Sequence, residues 1–357
     1  MVRQPYNILR DVQLKPRFFF ANIVFDQRAG VAGRDHPRQN RYHHYKRPLA
    51  MSVPLAYLNG EFLPEADARL PFYDSGFVMG TTVTEQLRTF AGSLFQLDVH
   101  LARLFQGLET IGVPSPLSEA EMSQRAEELV AANKQSVKAG DDLGLCIFIT
   151  PGPYHTMAPQ GTIKPTIGMH TYLLPFHLWE TQYTQGVRLV VSDIQEVSAN
   201  CWPRQLKCRS RMHYYLADQE VQRRFPGARP LLLDEEGFVT ETPTAGLICY
   251  FQTAGLIAPP TSKRLASTSW HYIRALAESE GIEVLERNLT PQDVASATEV
   301  MLASTPYCLL PVVEFQNCPV GSGKPGPMFS RLISTWSTRV SVDIRAQAAS
   351  YRDRPRP

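Results

Sequence analysis

The sequence lacks paired cysteines and long apolar runs, and it carries little net charge. Its six cysteines are at positions 146, 201, 208, 249, 308 and 318, without CxxC spacing. This argues against a zinc cage or any other metal site and favours a reduced, cytoplasmic setting. No apolar run approaches the roughly 20 residues that span a bilayer. The formal net charge is +2, so nothing at this level indicates nucleic acid or an anionic membrane as a partner.

Residues 1–50 lack serine and threonine, and they hold ten Lys or Arg against three Asp or Glu. A transit peptide would be rich in serine, and a secretory signal needs an apolar core of about 7–15 residues. FFFANIV at 18–24 is barely that long, and a basic run follows it. We interpret residues 1–50 as an extension that is disordered or absent from the native protein, with the fold beginning near Met51. A functional basic arm is the alternative.

A chain of 357 residues with 43% hydrophobic residues is long enough for two domains. The order of strand and helix patterns predicts a small α+β domain at 55–172 and a large domain at 183–340. Between them, residues 173–182 are the expected linker. Residues 341–357 are expected to form a frayed tail.

Local signals predict several elements of the first domain. Asn59-Gly60 between two alternating strands indicates a type I′ hairpin. Asp98 is expected to cap a helix of leucines at helical spacing. Ser118, with Glu121 three residues later, forms a capping box that begins a second helix.

Lys207 lies in the unusual segment CWPRQLKCRSRMHYYLADQEVQ, where it is expected to open an amphipathic helix after an irregular loop. Arg204, Arg209 and Arg211 make its surroundings cationic. Nearby positive charge lowers the pKa of a lysine, as an amine that forms a Schiff base requires. A basic, solvated helix face is the alternative interpretation.

Glu241 follows an apolar strand in LLLDEEGFVTETPTAG. Such a carboxylate could simply cap or solvate a strand end. However, a lysine and an acid in this order suit one cofactor, pyridoxal phosphate. The amine forms a Schiff base with it, and the acid keeps the pyridine nitrogen protonated so that the ring accepts electrons.

Together with QLDVHLARL, which ends at residue 104, and LASTPY, these segments resemble the class IV (fold type IV) pyridoxal-phosphate-dependent aminotransferases. That family includes branched-chain and D-amino-acid aminotransferases and aminodeoxychorismate lyase. The resemblance covers roughly residues 55–335. It implies a small α/β N-terminal domain, a larger, mixed and β-barrel-like C-terminal domain, and a homodimer whose loops close the partner's site.

The resemblance also implies roles for individual residues. Lys207 would carry the Schiff base and then move the proton at the substrate Cα, Glu241 would face the pyridine nitrogen, and Arg103 would bind the phosphate. Separately, hydroxyl residues at a predicted helix N-terminus favour phosphate through free N–H groups, although plain N-capping explains them equally. The residues expected to hold the cofactor are Arg103, Lys207, Glu241, Thr268, Ser269 and Thr305.

The substrate pocket is expected to involve Met79, Thr84, Arg88 and His155. Branched-chain enzymes typically have aromatic side chains where this chain has Met79 and Thr84. D-amino-acid enzymes carry an Arg-x-His carboxylate trap in the loop that corresponds to residues 150–161, and this loop has His155 but no arginine. These positions therefore leave the substrate open.

The resemblance implies an aminotransferase that exchanges an amino group between an amino acid and a 2-oxo acid. In the leading interpretation the amino acid is branched-chain-like. One alternative is a lyase that eliminates pyruvate from aminodeoxychorismate with the same lysine. A second is a catalytically inactive relative. It is suggested by Gly246, where the family usually has asparagine, and by Met212, where many relatives have a cofactor-contacting tyrosine.

Overall fold

The computed structural model describes residues 53–138, 140–158 and 164–352. The extension expected at residues 1–50 and the end of the chain at 353–357 lie outside this part. Among the described residues, no helix is long and apolar enough to cross a membrane. The same residues contain no group of three or more His, Cys, Asp or Glu side chains that could hold a metal ion.

The first sheet has six antiparallel strands in the order β2-β1-β6-β5-β3-β4. These strands are β1 (Leu55–Leu58), β2 (Glu61–Pro64), β3 (Val83–Phe90), β4 (Ser93–Leu94), β5 (Leu143–Thr150) and β6 (Thr166–Leu173). The helices of this region are α1 (Ser75–Val78), α2 (Leu97–Ile111) and α3 (Glu119–Lys134). Apolar side chains of α2 and α3 pack against one face of the sheet and form its core.

Helix α2 buries the leucines whose spacing predicted it, including Leu101, Leu104 and Leu108. The prediction that Asp98 caps this helix is wrong. The helix begins at Leu97, so Asp98 lies inside the first turn, and no side chain caps it. Gln96 precedes it with a φ of 50°. The backbone turn at Gln96, and not a capping carboxylate, therefore sets the start of α2.

Two turn and cap predictions are confirmed. Asn59 and Gly60 join β1 to β2 with positive φ values of 50° and 105°, as a type I′ turn requires. The Ser118 side chain accepts the Glu121 N–H, and the Glu121 side chain accepts the Ser118 N–H, which completes the capping box of α3. Both signals depend on residues close together in the chain.

The second sheet is mixed and has nine strands. The strands are β7 (Val187–Val191), β8 (Arg229–Leu231), β9 (Glu241–Thr242), β10 (Ala245–Phe251), β11 (Gly255–Ala258), β12 (Val284–Glu286), β13 (Glu299–Ser304), β14 (Cys308–Phe315) and β15 (Cys318–Pro319). The main path is β12-β11-β10-β13-β14-β7-β8, with β9 paired to β10 and β15 to β14. Pairs β11–β12, β14–β7 and β7–β8 are parallel.

Among the described residues, six helices accompany this sheet. They are α4 (Gln182–Gln185), α5 (Met212–Arg224), α6 (Thr268–Ser279), α7 (Pro291–Ser296), α8 (Pro327–Val340) and α9 (Ile344–Ala349). Short 3-10 turns cover Glu65–Asp67, Phe176–Leu178 and Thr261–Lys263. Helices α6 and α8 contribute apolar side chains to a core that is separate from that of the first sheet.

The segment expected to be a linker, 173–182, is packed. Phe176 and Trp179 are buried in the core of the second sheet. Just beyond, the buried Tyr183 donates its hydroxyl hydrogen to the carbonyl oxygen of Tyr307 at 2.7 Å. We propose domain boundaries at 55–172 and 183–340 from the separation of the two cores, with the connecting segment belonging to the second.

The expectation that a frayed tail begins at residue 341 is wrong for the described part of that segment. Helix α9 buries Ile344 and Ala348. Its Gln347 accepts a hydrogen bond from Arg88 at 2.9 Å and donates one to Asp142 at 2.7 Å. Helix α9 is therefore part of the folded structure, and its Gln347 satisfies polar groups of Arg88 and Asp142.

Candidate active site

Lys207 lies in an extended segment and not at the start of a helix, since α5 begins at Met212. The N–H of Thr84 donates to the carbonyl oxygen of Lys207 at 3.0 Å, and the N–H of Arg209 donates to that of Thr82 at 3.0 Å. The segment thus pairs with β3 although the two are far apart in sequence. The first sheet therefore fixes the backbone of Lys207.

A cavity of about 460 Å³ opens beside this segment. Its walls come from α2, the Lys207 segment, β9, the start of α6 and the turn between β13 and β14. All the residues expected to hold the cofactor line it: Arg103, Lys207, Glu241, Thr268, Ser269 and Thr305. Its volume falls within the range of roughly 300–1,000 Å³ that is usual for small-molecule sites.

Lys207 is a partly buried residue, and the pKa of its amine is lowered to about 8. Burial is the largest cause, followed by the positive charge of Arg103, while Glu85 opposes the shift. Arg211 and Arg209 act in the same direction as Arg103. At pH 7 about a tenth of such amines are neutral, compared with well under a thousandth for an ordinary lysine.

Glu241 is a buried carboxyl group that lines the same cavity. It accepts the main-chain N–H of Leu265 at 3.0 Å and the hydroxyl hydrogen of Tyr214 at 3.1 Å. Burial and then the negative charge of Glu196 raise the pKa of Glu241 to about 7. The hydrogen bonds and the charge of Arg264 oppose this shift without reversing it. A cationic group beside this carboxyl would lower its pKa and favour the carboxylate.

The start of α6 offers donors to an anion. Ser267 precedes the helix, and its hydroxyl oxygen accepts the N–H of Trp270 at 3.1 Å. Ser267 therefore acts as the N-cap, which leaves the buried Thr268 and Ser269 as the first helical residues. The first N–H groups of a helix have no partner within it and favour a bound anion. Thr305 lines the same cavity from the turn between β13 and β14.

Arg103 lines the cavity, but a buried carboxylate already neutralises its charge. Its guanidinium donates to the two carboxylate oxygens of Glu85 at 2.6 and 2.7 Å. Burial alone would raise the pKa of Glu85. The charge and hydrogen bonds of Arg103 outweigh burial, together with the hydrogen bond of His100, and lower the pKa of Glu85 to about 2. Arg103 also donates to the carbonyl oxygen of Ala266 at 2.5 Å, just before α6.

The order of these parts along the chain is that of a known family. A family model described as amino-transferase class IV matches residues 82–315. The chain belongs to the class IV aminotransferases. The match includes the segments that carry Arg103, Lys207, Glu241 and Thr305.

Relatives of this class IV aminotransferase include proteins named for D-alanine and proteins named for branched-chain amino acids. It is 27% identical over 272 residues to D-alanine aminotransferase of Bacillus licheniformis, which covers 76% of this chain and 91% of that relative. It is also 27% identical over 279 residues to a putative branched-chain-amino-acid aminotransferase of Methanocaldococcus jannaschii, covering 77% and 93%. Branched-chain amino acid aminotransferase from Thermobaculum terrenum in PLP-form matches with a TM-score of 0.71, 20% identity and coverage of 84% and 97%. The predicted fold type is confirmed.

The structure brings none of the four expected pocket residues of this aminotransferase into the cavity that the described residues form. Met79 and His155 are exposed. Thr84 is buried, and its hydroxyl donates to the carbonyl oxygen of Ile147 at 2.8 Å. Arg88 is buried as well and belongs to the interior.

Arg88 is corrected from a pocket residue to a packing residue. It donates to the carbonyl oxygen of Pro306 at 2.9 Å and to the Gln347 side chain at 2.9 Å. The guanidinium also lies 3.9 Å from the ring centre of Phe90, a cation–π contact. Its donors are used within the fold, so none faces a substrate.

Sequence reasoning missed Tyr214 and Glu196, which line the cavity and act on Glu241. Tyr214 lies in the first turn of α5, and its hydroxyl reaches Glu241 from there. Glu196 carried no sequence signal, since its position depends on the N–H of Glu196 donating to the Leu233 carbonyl oxygen at 2.9 Å.

Proposed function

We propose that this class IV aminotransferase uses pyridoxal phosphate to exchange an amino group between an amino acid and a 2-oxo acid, with Lys207 as the attachment residue. One observation carries the proposal. A single cavity contains an amine of lowered pKa, a buried carboxyl group of raised pKa, and the free N-terminus of a helix. These three features match the three reactive parts of that cofactor.

The residues fit the cofactor chemically. Lys207 supplies the amine for its aldehyde, and Glu241 supplies the negative charge for a protonated ring nitrogen. The phosphate group would be held by the start of α6, Thr305 and the nearby Arg103. When bound, pyridoxal phosphate supplies an aldehyde that condenses with amines and a ring that accepts electrons. One solved structure of the same fold is described in its PLP-form and another with pyridoxamine 5'-phosphate.

The residues of this chain would contribute binding and proton transfer. Lys207 must be neutral to attach the cofactor, and once released it can take a proton from the substrate Cα and return it. Its pKa of about 8 suits both directions of transfer near neutral pH. Leu265 and Tyr214 hold the Glu241 carboxylate in one orientation. The pairing of the Lys207 segment with β3 fixes the backbone from which the amine extends.

We propose branched-chain-like amino acids as the amino donors. Apolar side chains line part of the cavity wall: Leu178, Trp179, Trp202 and Leu206. Such a wall accommodates an aliphatic side chain and disfavours a charged one. The relatives named for branched-chain amino acids support this class, and those named for D-alanine define the competing class.

We also propose a homodimer in the cytoplasm. Phe72 and Phe77 are 87% and 74% exposed, with ring centres 6.4 Å apart, and Met79 is exposed beside them in the chain. Contiguous apolar surface of this kind marks an interface between proteins. All six cysteines are free thiols, which suits a reducing compartment.

A donor and acceptor panel tests the function. The full-length protein, loaded with pyridoxal phosphate, is mixed with L-branched, L-aromatic and D-amino acids and with simple amines, and conversion of the bound cofactor is followed by absorbance. We expect conversion by L-branched donors and its reversal by the matching 2-oxo acids, with no conversion by Lys207→Ala. Pyruvate release from aminodeoxychorismate without an acceptor would instead indicate a lyase. No conversion by any donor would contradict the proposal.

A further inference from the structure

His100 is a buried polar residue that the proposed chemistry does not use and that does not line the cavity. Its ring joins two distant elements. Nδ1 lies 2.7 Å from the Glu85 carboxylate on β3, and Nε2 lies 3.3 Å from the hydroxyl oxygen of Thr268, the first residue of α6. Arg103 is three residues further along α2, on the same face. It contacts Glu85 and the carbonyl oxygen of Ala266.

The hydrogen positions in this network follow from charge. Glu85, with a pKa of about 2, is ionised at neutral pH and can only accept hydrogen bonds. Burial, which outweighs the attraction of Glu85, lowers the pKa of His100, so the ring is neutral at pH 7. Its one hydrogen therefore lies on Nδ1, facing the carboxylate, and Nε2 is left as an acceptor. The Thr268 hydroxyl must then donate to Nε2.

We propose that His100 is a positioning residue for the phosphate group of the cofactor, and that it acts by engaging the hydroxyl of Thr268. This inference rests on the proposed function. Because the hydroxyl hydrogen of Thr268 points at His100, the side chain of Thr268 does not donate to the anion. Thr268 instead presents its main-chain N–H, next to the N–H of Ser269. Arg103 fixes Ala266 two residues earlier. Helix α2 thus holds the start of α6 at two points.

Paired ligands test this role. The full-length protein is depleted of cofactor and titrated with pyridoxal phosphate and with pyridoxal, which lacks the phosphate, and protein fluorescence reports binding. His100→Asn keeps an amide donor near the Nδ1 position but loses the Nε2 acceptor. Thr268→Val removes only the hydroxyl. We expect each change to weaken pyridoxal phosphate binding roughly five- to tenfold and to leave pyridoxal binding unchanged within about twofold.

Combining the two changes separates this role from direct contact with the anion. Both variants break the same hydrogen bond, so the double variant should bind pyridoxal phosphate as tightly as either single one. Thr268→Ser, which keeps the hydroxyl, should bind like the wild type. If the Thr268 hydroxyl instead donates to the phosphate, Thr268→Val loses more than His100→Asn and the two losses add, which overturns the inference.

Other outcomes are equally decisive. Equal weakening of both ligands by His100→Asn would show general disruption and would contradict a role in positioning the phosphate. If His100→Asn fails to unfold cooperatively, the Thr268→Val and Thr268→Ser pair decides, and wild-type affinity in Thr268→Val overturns the inference. A wild-type protein that does not attach pyridoxal phosphate at Lys207 would instead refute the proposed function itself.

Discussion

Lys207 and Glu241 line one cavity, and burial changes their pKa values in opposite directions, to about 8 and about 7. An environment of low polarity disfavours both the ammonium and the carboxylate. Charged neighbours add to each effect, Arg103 at the lysine and Glu196 at the glutamate. Both groups therefore titrate close to neutral pH. For Lys207, this is the range in which proton transfer by a side chain is most effective.

The lowered pKa of Lys207 predicts how cofactor attachment depends on pH. Only the neutral amine attacks an aldehyde, and its fraction rises as pH increases through about 8. The attachment rate of the cofactor-depleted protein should rise about tenfold per pH unit below 8 and level off above it. Stopped-flow absorbance between pH 6 and 10 measures this, with Nα-acetyl-lysine as the reference amine. A protein rate that follows the reference amine beyond pH 9 would contradict the lowered pKa.

Glu241→Gln should lower kcat about a hundredfold with the best donor, because the variant removes the negative charge that stabilises a protonated ring. Glutamine has the same shape and can still accept the Leu265 N–H, so the fold is retained. Tyr214→Phe, which removes one hydrogen bond to the carboxylate, is the matched control and should lower kcat only a few-fold. Steady-state kinetics measure both, and activity of Glu241→Gln within twofold of the wild type would refute the assigned role.

The order of motifs was enough to select residues that the fold brings into one cavity. It could not reveal that Glu85 neutralises Arg103, because that pair depends on the packing of α2 against β3. Arg88 illustrates a second limit. On β3, Arg88 lies on the same face of the sheet as Gln86, which lines the cavity. Arg88 is two residues further along the strand, where this face is covered by the protein interior. Alternation along a strand therefore predicts the face of the sheet on which a residue lies, but not how deeply the residue is buried.

At the scale of elements, two short-range signals were read correctly, whereas the Asp98 cap and the boundaries set by tertiary contacts were not. Asn59-Gly60 and the capping box of α3 involve residues close together in the chain, so the local sequence predicts them. Lys207 was expected on a helix, but its segment adds to β3 through main-chain hydrogen bonds to residues more than a hundred positions away. Such pairing leaves no periodicity in the sequence.

Helix α9 supplies a prediction about stability. A protein ending at residue 340 loses the buried Ile344 and leaves Arg88 without its Gln347 partner. Lost apolar burial and an unsatisfied buried guanidinium together should lower Tm by at least about 5 °C. A protein ending at residue 352 is the matched control and should keep the Tm of the full chain. Thermal unfolding by circular dichroism gives both values, and equal Tm values for the two truncations would show that α9 does not stabilise the fold.

At the scale of the whole molecule, two sheets with separate cores meet where the cavity lies. Side chains of the first sheet and its helices reach the second part of the chain, Arg103 at Ala266 and Arg88 at Pro306. The resemblance predicted this α+β fold type, and the solved relatives confirm it. The extension at residues 1–50 lies outside the described residues, so its interpretation stays a prediction.

If the proposed homodimer forms through the exposed aromatic surface, substitutions at that surface should weaken self-association. Phe77→Ser removes an exposed aromatic ring from the apolar surface beside Phe72 and should weaken association roughly tenfold or more. Leu285→Ser, at another exposed apolar position, is the control and should leave association unchanged. Sedimentation velocity over a concentration series measures both. A wild-type monomer at micromolar concentration, or equal effects of the two changes, would contradict an interface at this surface.

The most direct test of the account is chemical trapping of the cofactor on the intact protein. The full-length protein is incubated with pyridoxal phosphate, reduced with borohydride, digested, and mapped by mass spectrometry, with Lys207→Ala treated in parallel. We predict one reduced adduct, on the ε-nitrogen of Lys207, and none in the variant. An adduct on another residue, or no adduct at all, would contradict the central claim.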